Sequence, residues 1–550
     1  WTVRGLWAQS VGQKPAAIRC FAEAALRDPN QRIAQYQLGQ LLSEANQRKD
    51  GEKFAERAVR LQRLAALMSE VSLNSTNTEA MREASDVLEQ LGRYWEAFGW
   101  CGLILTIDPS QQATRTRMQA LHQRLHPELP LTDPKLNPAH ELNVSTFPLP
   151  TWPKSNPSLK PIVSEEVSQS IRFVDRTAEM GIDFTYFNSD DPSTEGTRMY
   201  EFAGGGVGVL DYDRDGYPDL YLTQGCPWPP TQESATHQDK LFRNLGDGRF
   251  VDVTTQSGLG DGWFSQGVAV GDYDSDGYPD LYIANIGKNR LYRNRGDGTF
   301  EDATLEANLT GTEWTTSCLL ADLDGDNNPD LYDVNYLKGD DLFDRLCLIG
   351  GKLRTCVPGV FDSERDRLHV NSGQGPFREI TGEQATFLEP ARAGLGIVAA
   401  DIQRIGRLDL FVANDVVANA FLINESSPQS GGLAMRENAL LSGLAFDRDG
   451  RAQACMGVAA DDVDGNGLLD FFVTNYYEES DALYLQKTPG IFEESARTTG
   501  LYQDSYRLLG FGTQFLDADL DGWVDLVVAN GHLDDFTYMN IPHRMPPQLF

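Results

Sequence analysis

The chain has no apolar run approaching the roughly 20 residues needed to cross a bilayer as a helix, so none of its 550 residues reads as a membrane span. Basic residues are scarce: 47 Lys and Arg face 80 Asp and Glu, a formal charge of -33. A surface this acidic excludes nucleic acid as a natural partner. The deficit is local, because residues 1–160 hold 19 basic against 16 acidic residues and the remaining chain holds 28 against 64. Histidine is also sparse, with seven copies and no nucleophile–base pair legible by spacing. Cysteine is limited to an odd seven. Only Cys347 and Cys356, nine residues apart in a segment rich in Gly and Pro, are spaced for a local disulfide. Cys20, Cys101, Cys318 and Cys455 read as small buried residues, and Cys226 is a loop thiol with no assigned role. The first residue is Trp1 rather than Met, so any leader or anchor is expected to lie outside these residues.

Aspartate is abundant, and it is ordered. Five times it recurs at positions 1, 3, 5 and 9 of a short loop that runs into an apolar strand. The copies are Asp211/Asp213/Asp215/Asp219, Asp272/Asp274/Asp276/Asp280, Asp322/Asp324/Asp326/Asp330, Asp462/Asp464/Asn466/Asp470 and Asp517/Asp519/Asp521/Asp525. A sixth, from Asp401 to Asp409, keeps only its ends, with Gln403 and Ile405 between them. Calcium takes six to eight oxygens at roughly 2.3–2.6 Å, which converging carboxylates from a tight turn supply. Positions 1, 3, 5 and 9 are expected to give side-chain oxygens. Position 7 (Tyr217, Tyr278, Asn328, Leu468, Trp523) is expected to give its backbone carbonyl, leaving its side chain free to vary. An EF-hand is excluded, because position 12 is Leu222, Ile283 or Asp333 inside a strand-like run instead of a Glu opening a helix. Metal-free Asp-Gly turns would leave four carboxylates repelling one another within nine residues. About five calcium ions are therefore expected, and sites of this kind suit a secreted, periplasmic or cell-surface protein.

A second motif alternates with the first, at residues 240–254, 290–304 and 368–381, typified by Leu-Phe-Arg-Asn-Leu-Gly-Asp-Gly-Arg-Phe. It reads as strand, glycine turn and strand, with weaker relatives at Phe173 and Phe492. Ladders begin at 211, 272, 322, 401, 462 and 517, and that period fits propeller blades of four strands. The strand pair expected near Phe173 needs a partner, so seven blades are preferred over six, with the last blade incomplete. Residues 1–126 show helical spacing and Asp-Pro stops at 28–29 and 108–109. They read as two to three degenerate tetratricopeptide-like (TPR-like) helix pairs, or as an ordinary helical bundle. Nine prolines between Pro127 and Pro161 mark a linker over 127–170, and the propeller is assigned to 171–550.

The alternation of the two motifs resembles FG-GAP/VCBS repeats, as in the propeller of integrin alpha chains. It is more closely similar to the cartilage acidic protein (ASPIC/UnbV) family of secreted and bacterial repeat proteins. The resemblance covers about residues 171–550 and implies calcium in the five complete ladders. It does not extend to that family's C-terminal domain, whose properties are not carried over. The cysteine pair resembles one seen in bacterial members, and the helical region resembles tetratricopeptide–propeller fusions.

Other motifs are weaker. Arg295-Gly296-Asp297 belongs to a repeat hairpin and is not read as an adhesion tripeptide. The Gly204–Gly208 run leads into a strand instead of a helix, which excludes a dinucleotide site. Asn74, Asn143, Asn308 and Asn424 begin glycosylation sequons. His532 and Asp534, with His543, form a candidate transition-metal or general-base group, and His237 and Glu201 are further candidates. Two functions follow. One is a calcium-stabilised platform that binds a protein or ligand through its propeller face and helical region. The other is a metal-dependent oxidative or hydrolytic enzyme acting at the propeller mouth on a peptide presented by the helices.

Overall fold

The computed structural model describes residues 1–126, 128–151, 171–190, 197–231, 233–349, 351–373, 376–426 and 432–550. They divide into two units, Trp1–Val167 with Leu440–Ala452, and Ser168–Ala439 with Gln453–Phe550.

The first unit is helical: α1 (Thr2–Ser10), α2 (Lys14–Arg27), α3 (Arg32–Glu44), α4 (Arg48–Leu73), α5 (Thr78–Gln90), α6 (Tyr94–Ile107) and α7 (Gln112–His122). Each helix packs on the next in sequence. The Asp-Pro stops act as expected, because a residue before proline is driven out of the helical region. Asp28 and Asp108 are extended and cap α2 and α6, and their carboxylates accept the N–H groups of Asn30 and Ser110 at 2.9 and 3.0 Å. Of the expected linker, residues 128–151 pack on these helices through three single 3-10 turns. Ala139 is buried with Phe21 and Leu38, and Asn137 Nδ2 donates to the Ala25 carbonyl at 2.9 Å. Residues 127 and 152–170 lie outside the described residues. The segment 440–452 completes the unit. Gln37 Nε2 donates to the Arg448 carbonyl at 2.6 Å, Gln40 Nε2 to the Leu440 carbonyl, and Tyr36 meets Phe446 edge to face at 5.8 Å.

The second unit is a β-propeller of six antiparallel sheets, each ordered from an inner strand outwards. The inner strands are Val207–Leu210, Ser265–Gly271, Thr315–Ala321, Gly394–Ala400, Val458–Asp461 and Gly510–Leu516. Residues from all six line one central cavity. Strand contacts between neighbouring blades require close backbone approach: a Cβ on Gly206 would stand 2.7 Å from the Gln266 carbonyl oxygen.

The expectation of seven blades is corrected to six. The stretch 171–190, read as the start of a further strand pair, forms no strand. It spends its backbone groups on blade one: Phe250 N–H donates to the Met180 carbonyl at 2.7 Å, and Phe187 N–H to Gln224 Oε1 at 2.6 Å. The relative at Phe492 is the outer strand of blade five. The sixth sheet has three strands among the described residues, its third being Gln548–Leu549.

Alternating antiparallel strands sort the connections by face. Each aspartate ladder joins an inner strand to the second strand, so all six ladder loops leave the ring on one face, beside the glycine hairpins. Connections between second and third strands leave on the other. The longest of these, in blade three, carries the hairpin Leu346–Ile349 with Lys352–Thr355, and the Cys347–Cys356 disulfide forms at its base. The other five cysteines are buried and stand outside any disulfide.

Candidate metal centres

In every ladder the position-1 carboxylate organises the turn before any ion is considered. Asp272 Oδ1 accepts the N–H of Asp276 at 3.0 Å and Oδ2 that of Gly277 at 2.9 Å. The same two bonds recur on Asp211, Asp322, Asp462 and Asp517. Position 5 then accepts from position 7, as in Asp276 Oδ1 with Tyr278 N–H at 2.9 Å.

Position 9 pins the hairpin to the rest of its blade. Asp280 is fully buried; its Oδ2 accepts Tyr273 N–H at 2.9 Å and its Oδ1 accepts Asn294 N–H, on the third strand, at 2.7 Å. Asp219, Asp330 and Asp470 repeat this with Asn244, Asn371 and Gln486. The asparagine of the second motif is thereby explained. Asn294 Nδ2 donates to the Pro279 carbonyl and, across the blade boundary, to the Tyr212 carbonyl at 2.9 Å. Asn371 and Asn424 reach the preceding blade in the same way, at Tyr273 and Leu323. Asn424, which opens a sequon, is thus buried and engaged.

Three carboxylates of each complete ladder bring one oxygen apiece within 4.8 Å of one another: Asp211/Asp213/Asp219, Asp272/Asp274/Asp276, Asp322/Asp324/Asp330, Asp462/Asp464/Asp470 and Asp517/Asp519/Asp521. Hard oxygen donors so placed suit a hard cation. Their electrostatics agree: burial, then the neighbouring carboxylates at positions 5 and 1, pushes Asp274 and Asp324 upward. Burial also lifts Asp219 to about 6 and Asp280 and Asp330 to about 7. Five aspartate triads could therefore hold metal ions such as calcium.

In the four ladders that hold four aspartates, one of them stands outside the triad, and which one varies between blades. In blades one and three it is position 5, where Asp215 and Asp326 lie outside their triads; in blade five position 5 is the amide Asn466. Asp215 is taken by Arg243, which sets Nη2 2.9 Å from it and Nε 2.6 Å from Asp213. In blade two the corresponding Arg293 turns to Glu301 instead. Asp326 Oδ1 accepts both the N–H and Nδ2 of Asn328, at 2.8 and 2.9 Å. Asn466 is an amide and brings no charge; its Oδ1 accepts Leu468 N–H at 2.7 Å and its Nδ2 donates to the Gln486 carbonyl at 3.0 Å. In blades two and six the outlier is position 9, Asp280 and Asp525. Both accept the position-2 N–H on Oδ2, Tyr273 for Asp280 at 2.9 Å and Ala518 for Asp525 at 2.8 Å, as the position-9 residues inside the other triads also do.

The side chain at position 7 is not idle, which corrects the expectation that only its carbonyl matters. The rings of Tyr217 and Tyr278 lie against Gly246 and Gly296, at φ 72° and 71°, where a Cβ would stand 2.5 and 2.7 Å from ring carbons. Glycine is required twice over, for the left-handed backbone and for the ring. Arg295-Gly296-Asp297 is part of this hairpin. Loops also touch their neighbours: Arg214 lies over the Tyr278 ring at 5.3 Å, and Arg404 donates to the Gly467 carbonyl.

The loop at 401–409 keeps its backbone scaffold. Asp401 accepts from Ile405 and Gly406 at 2.8 and 2.9 Å, and Asp409 accepts Asn424 N–H at 2.8 Å. Gln403 Nε2 donates to Asp409 Oδ1 at 3.0 Å, so an amide stands at position 3 in contact with position 9.

On the opposite face, His532 and Asp534 are buried. His532 Nδ1 accepts Asp534 N–H at 3.3 Å, the His532 N–H donates to the His543 carbonyl, and burial holds the imidazole below its ordinary pKa. Asp534 Oδ1 is ion-paired to Arg354 at 3.2 Å. The exposed His543 contributes only its backbone to these bonds. His237 stacks on Phe187 at 3.9 Å, and Glu201 accepts Arg198 N–H at 3.2 Å while burial raises its pKa. The Arg354–Asp534 pair was missed by sequence reasoning, since its partners lie 180 residues apart. It ties the disulfide hairpin of blade three to blade six, across the ring.

FG-GAP-like repeats match the chain at residues 211–283, 272–332 and 462–528. No curated protein matches it. Among solved structures, similarity is found to an Agrocybe aegerita lectin that recognises non-reducing terminal N-acetylglucosamine, at 13% identity and TM-score 0.33, over 63% of this chain and 80% of that one. It is also found to the Photorhabdus luminescens Tc holotoxin pore, at 16% identity and TM-score 0.28, over 58% of this chain and 13% of that one. A third is a RAG complex with one melted and one unmelted RSS, at 11% identity and TM-score 0.31, over 61% and 93%. The chain carries FG-GAP-like repeats built into a six-bladed β-propeller that follows an N-terminal helical region.

Proposed function

We propose that this protein is an extracytoplasmic, calcium-binding propeller that serves as a platform for a protein or ligand, with calcium in a structural role. The observation that carries the reading is the distribution of the triads: one per blade in five of six blades, each with oxygens within 4.8 Å. Ions spread around a ring tie each hairpin to its own third strand and to the next loop, which suits holding blades in place more than chemistry at one point. The disulfide is in keeping with an oxidising compartment. The position-7 carbonyls would complete each calcium shell, with the fourth ladder side chain (Asp215, Asp280, Asp326, Asn466 or Asp525) closing on the ion when it binds.

The helical region is read as TPR-like and as a peptide-binding arm. Gln37 and Gln40 already donate to backbone carbonyls of the segment 440–452, a helical turn followed by bends, so this region can hold a chain by its backbone without regard to its side chains.

Calcium titration of chelator-treated protein is expected to show about five ions, and EDTA is expected to lower the melting temperature and to open the propeller to protease. Unchanged melting and protease resistance in EDTA would remove calcium from the architecture.

A further inference from the structure

In the half of the ring away from the aspartate loops, the inner strands enclose a cavity of about 470 Å³. Glycine backbone and branched aliphatic side chains form most of its wall. Besides the hydroxyl residues Thr316, Ser317 and Thr513, its wall carries a polar arc of four residues, Gln266, Trp314, Tyr336 and Asp415. Trp314 Nε1 donates to Gln266 Oε1 at 2.8 Å, the Trp314 and Tyr336 rings meet edge to face at 5.0 Å, and Tyr336 OH donates to Asp415 Oδ2 at 2.6 Å. Each end of the arc is left with one polar atom that no described residue pairs: Gln266 Nε2 and Asp415 Oδ1. Both side chains are more than nine-tenths buried, at 5% and 6% exposure.

A buried donor and a buried acceptor without partners are costly, and here both belong to side chains that line the same cavity. Among the described lining residues Asp415 is the only Asp or Glu, and there is no Lys, Arg or His. Burial pushes its carboxyl up to about 6, which leaves it anionic at neutral pH.

We propose that this cavity binds a small organic ammonium ion, with its N–H groups on Asp415 Oδ1, its body against Trp314 and Tyr336, and an acceptor of the ligand on Gln266 Nε2. A single carboxylate in a glycine-lined wall does not supply the six to eight oxygens, roughly, that calcium needs. An anion meets only repulsion, and a neutral ligand leaves the carboxylate uncompensated. Aromatic rings beside a carboxylate favour an organic cation through their negative faces. The inference deepens the platform reading and rests on it only in treating the ring as a binding module.

The test uses the full, calcium-saturated chain and calorimetric titration with n-butylamine and benzylamine, against n-butanol and butyrate as shape controls. The amines are expected to bind at least about tenfold more tightly than the controls, the effect of one charged hydrogen bond. Asp415→Asn keeps an acceptor for Tyr336 OH and is expected to lose that preference; Tyr336→Phe keeps the carboxylate and is expected to retain it. Equal binding of butanol, absence of amine binding to the folded wild type, or an undiminished amine preference in folded Asp415→Asn overturns the proposal. If Asp415→Asn does not fold, the amine–alcohol comparison on the wild type decides alone. Failure here leaves the calcium reading standing, whereas melting that ignores EDTA removes calcium and leaves the cavity.

Discussion

The loops at 272–280 and 401–409 share a backbone and differ in chemistry. Both use the position-1 carboxylate to hold the N–H groups of positions 5 and 6, and both bury a position-9 aspartate that grips the third strand. They part at positions 3 and 5, where Asp274 and Asp276 face Gln403 and Ile405. The ladder therefore combines two functions that spacing alone does not separate. Positions 1 and 9 fold the hairpin, and positions 3 and 5 charge it. The copy without acidic residues at positions 3 and 5 keeps the two ends that hold its backbone.

The most damaging way to probe this comparison is at position 9. Asp280→Ala and Asp409→Ala each leave two buried backbone N–H groups unpaired, at about 1–3 kcal/mol apiece. Both are expected to destabilise the propeller by about 2–5 kcal/mol, with and without calcium, in chemical denaturation. A loss at Asp280 that vanishes in EDTA would assign that residue to the ion alone. A smaller effect is expected in the opposite direction, from restoring the loop: Gln403→Asp with Ile405→Asp should add one calcium to the titration and widen the gap in melting temperature between calcium and EDTA. Absence of an added site would mean that the amide at position 3 reflects a loop whose backbone no longer admits an ion.

The smallest expected effect concerns a carboxylate of blade five outside the ladders. Asp481 is buried, its Oδ1 accepts Asn475 N–H at 2.9 Å, and burial raises it to about 7. Since its folded pKa lies above the unfolded one, its contribution is fully present below about pH 4 and is lost as pH rises through about 7. Asp481→Asn, which keeps the acceptor without the charge, should flatten the fall in melting temperature between those limits. An identical pH profile in wild type and variant would show that Asp481 does not titrate in that window.

Much of the ring was legible because each blade is a local unit: two hairpins in which the buried ladder aspartate meets its third-strand partner 14 to 41 residues on. Ladder spacing located the six inner hairpins, and the Asp-Pro stops ended α2 and α6. Spacing did not say which ladder side chains converge, because positions 5 and 9 make the same backbone bonds inside and outside a triad: Asp276 and Asp326 both accept the N–H of position 7. The seventh blade was inferred from the stretch at Phe173, a weak relative of the second motif whose strand pair needed a partner. That stretch pairs with side chains and turns of blade one, which no period encodes.

The sequence by itself determined the repeat, the carboxylate ladders and the acidic half of the chain, since each depends on neighbours a few residues apart. Only the tertiary structure decided the blade number, the separation of the ladder face from the strapped face, and the meeting of Gln266, Trp314, Tyr336 and Asp415 around one cavity. These depend on contacts between blades, and the distance between two residues across a closed ring is set by the closure and not by their separation along the chain.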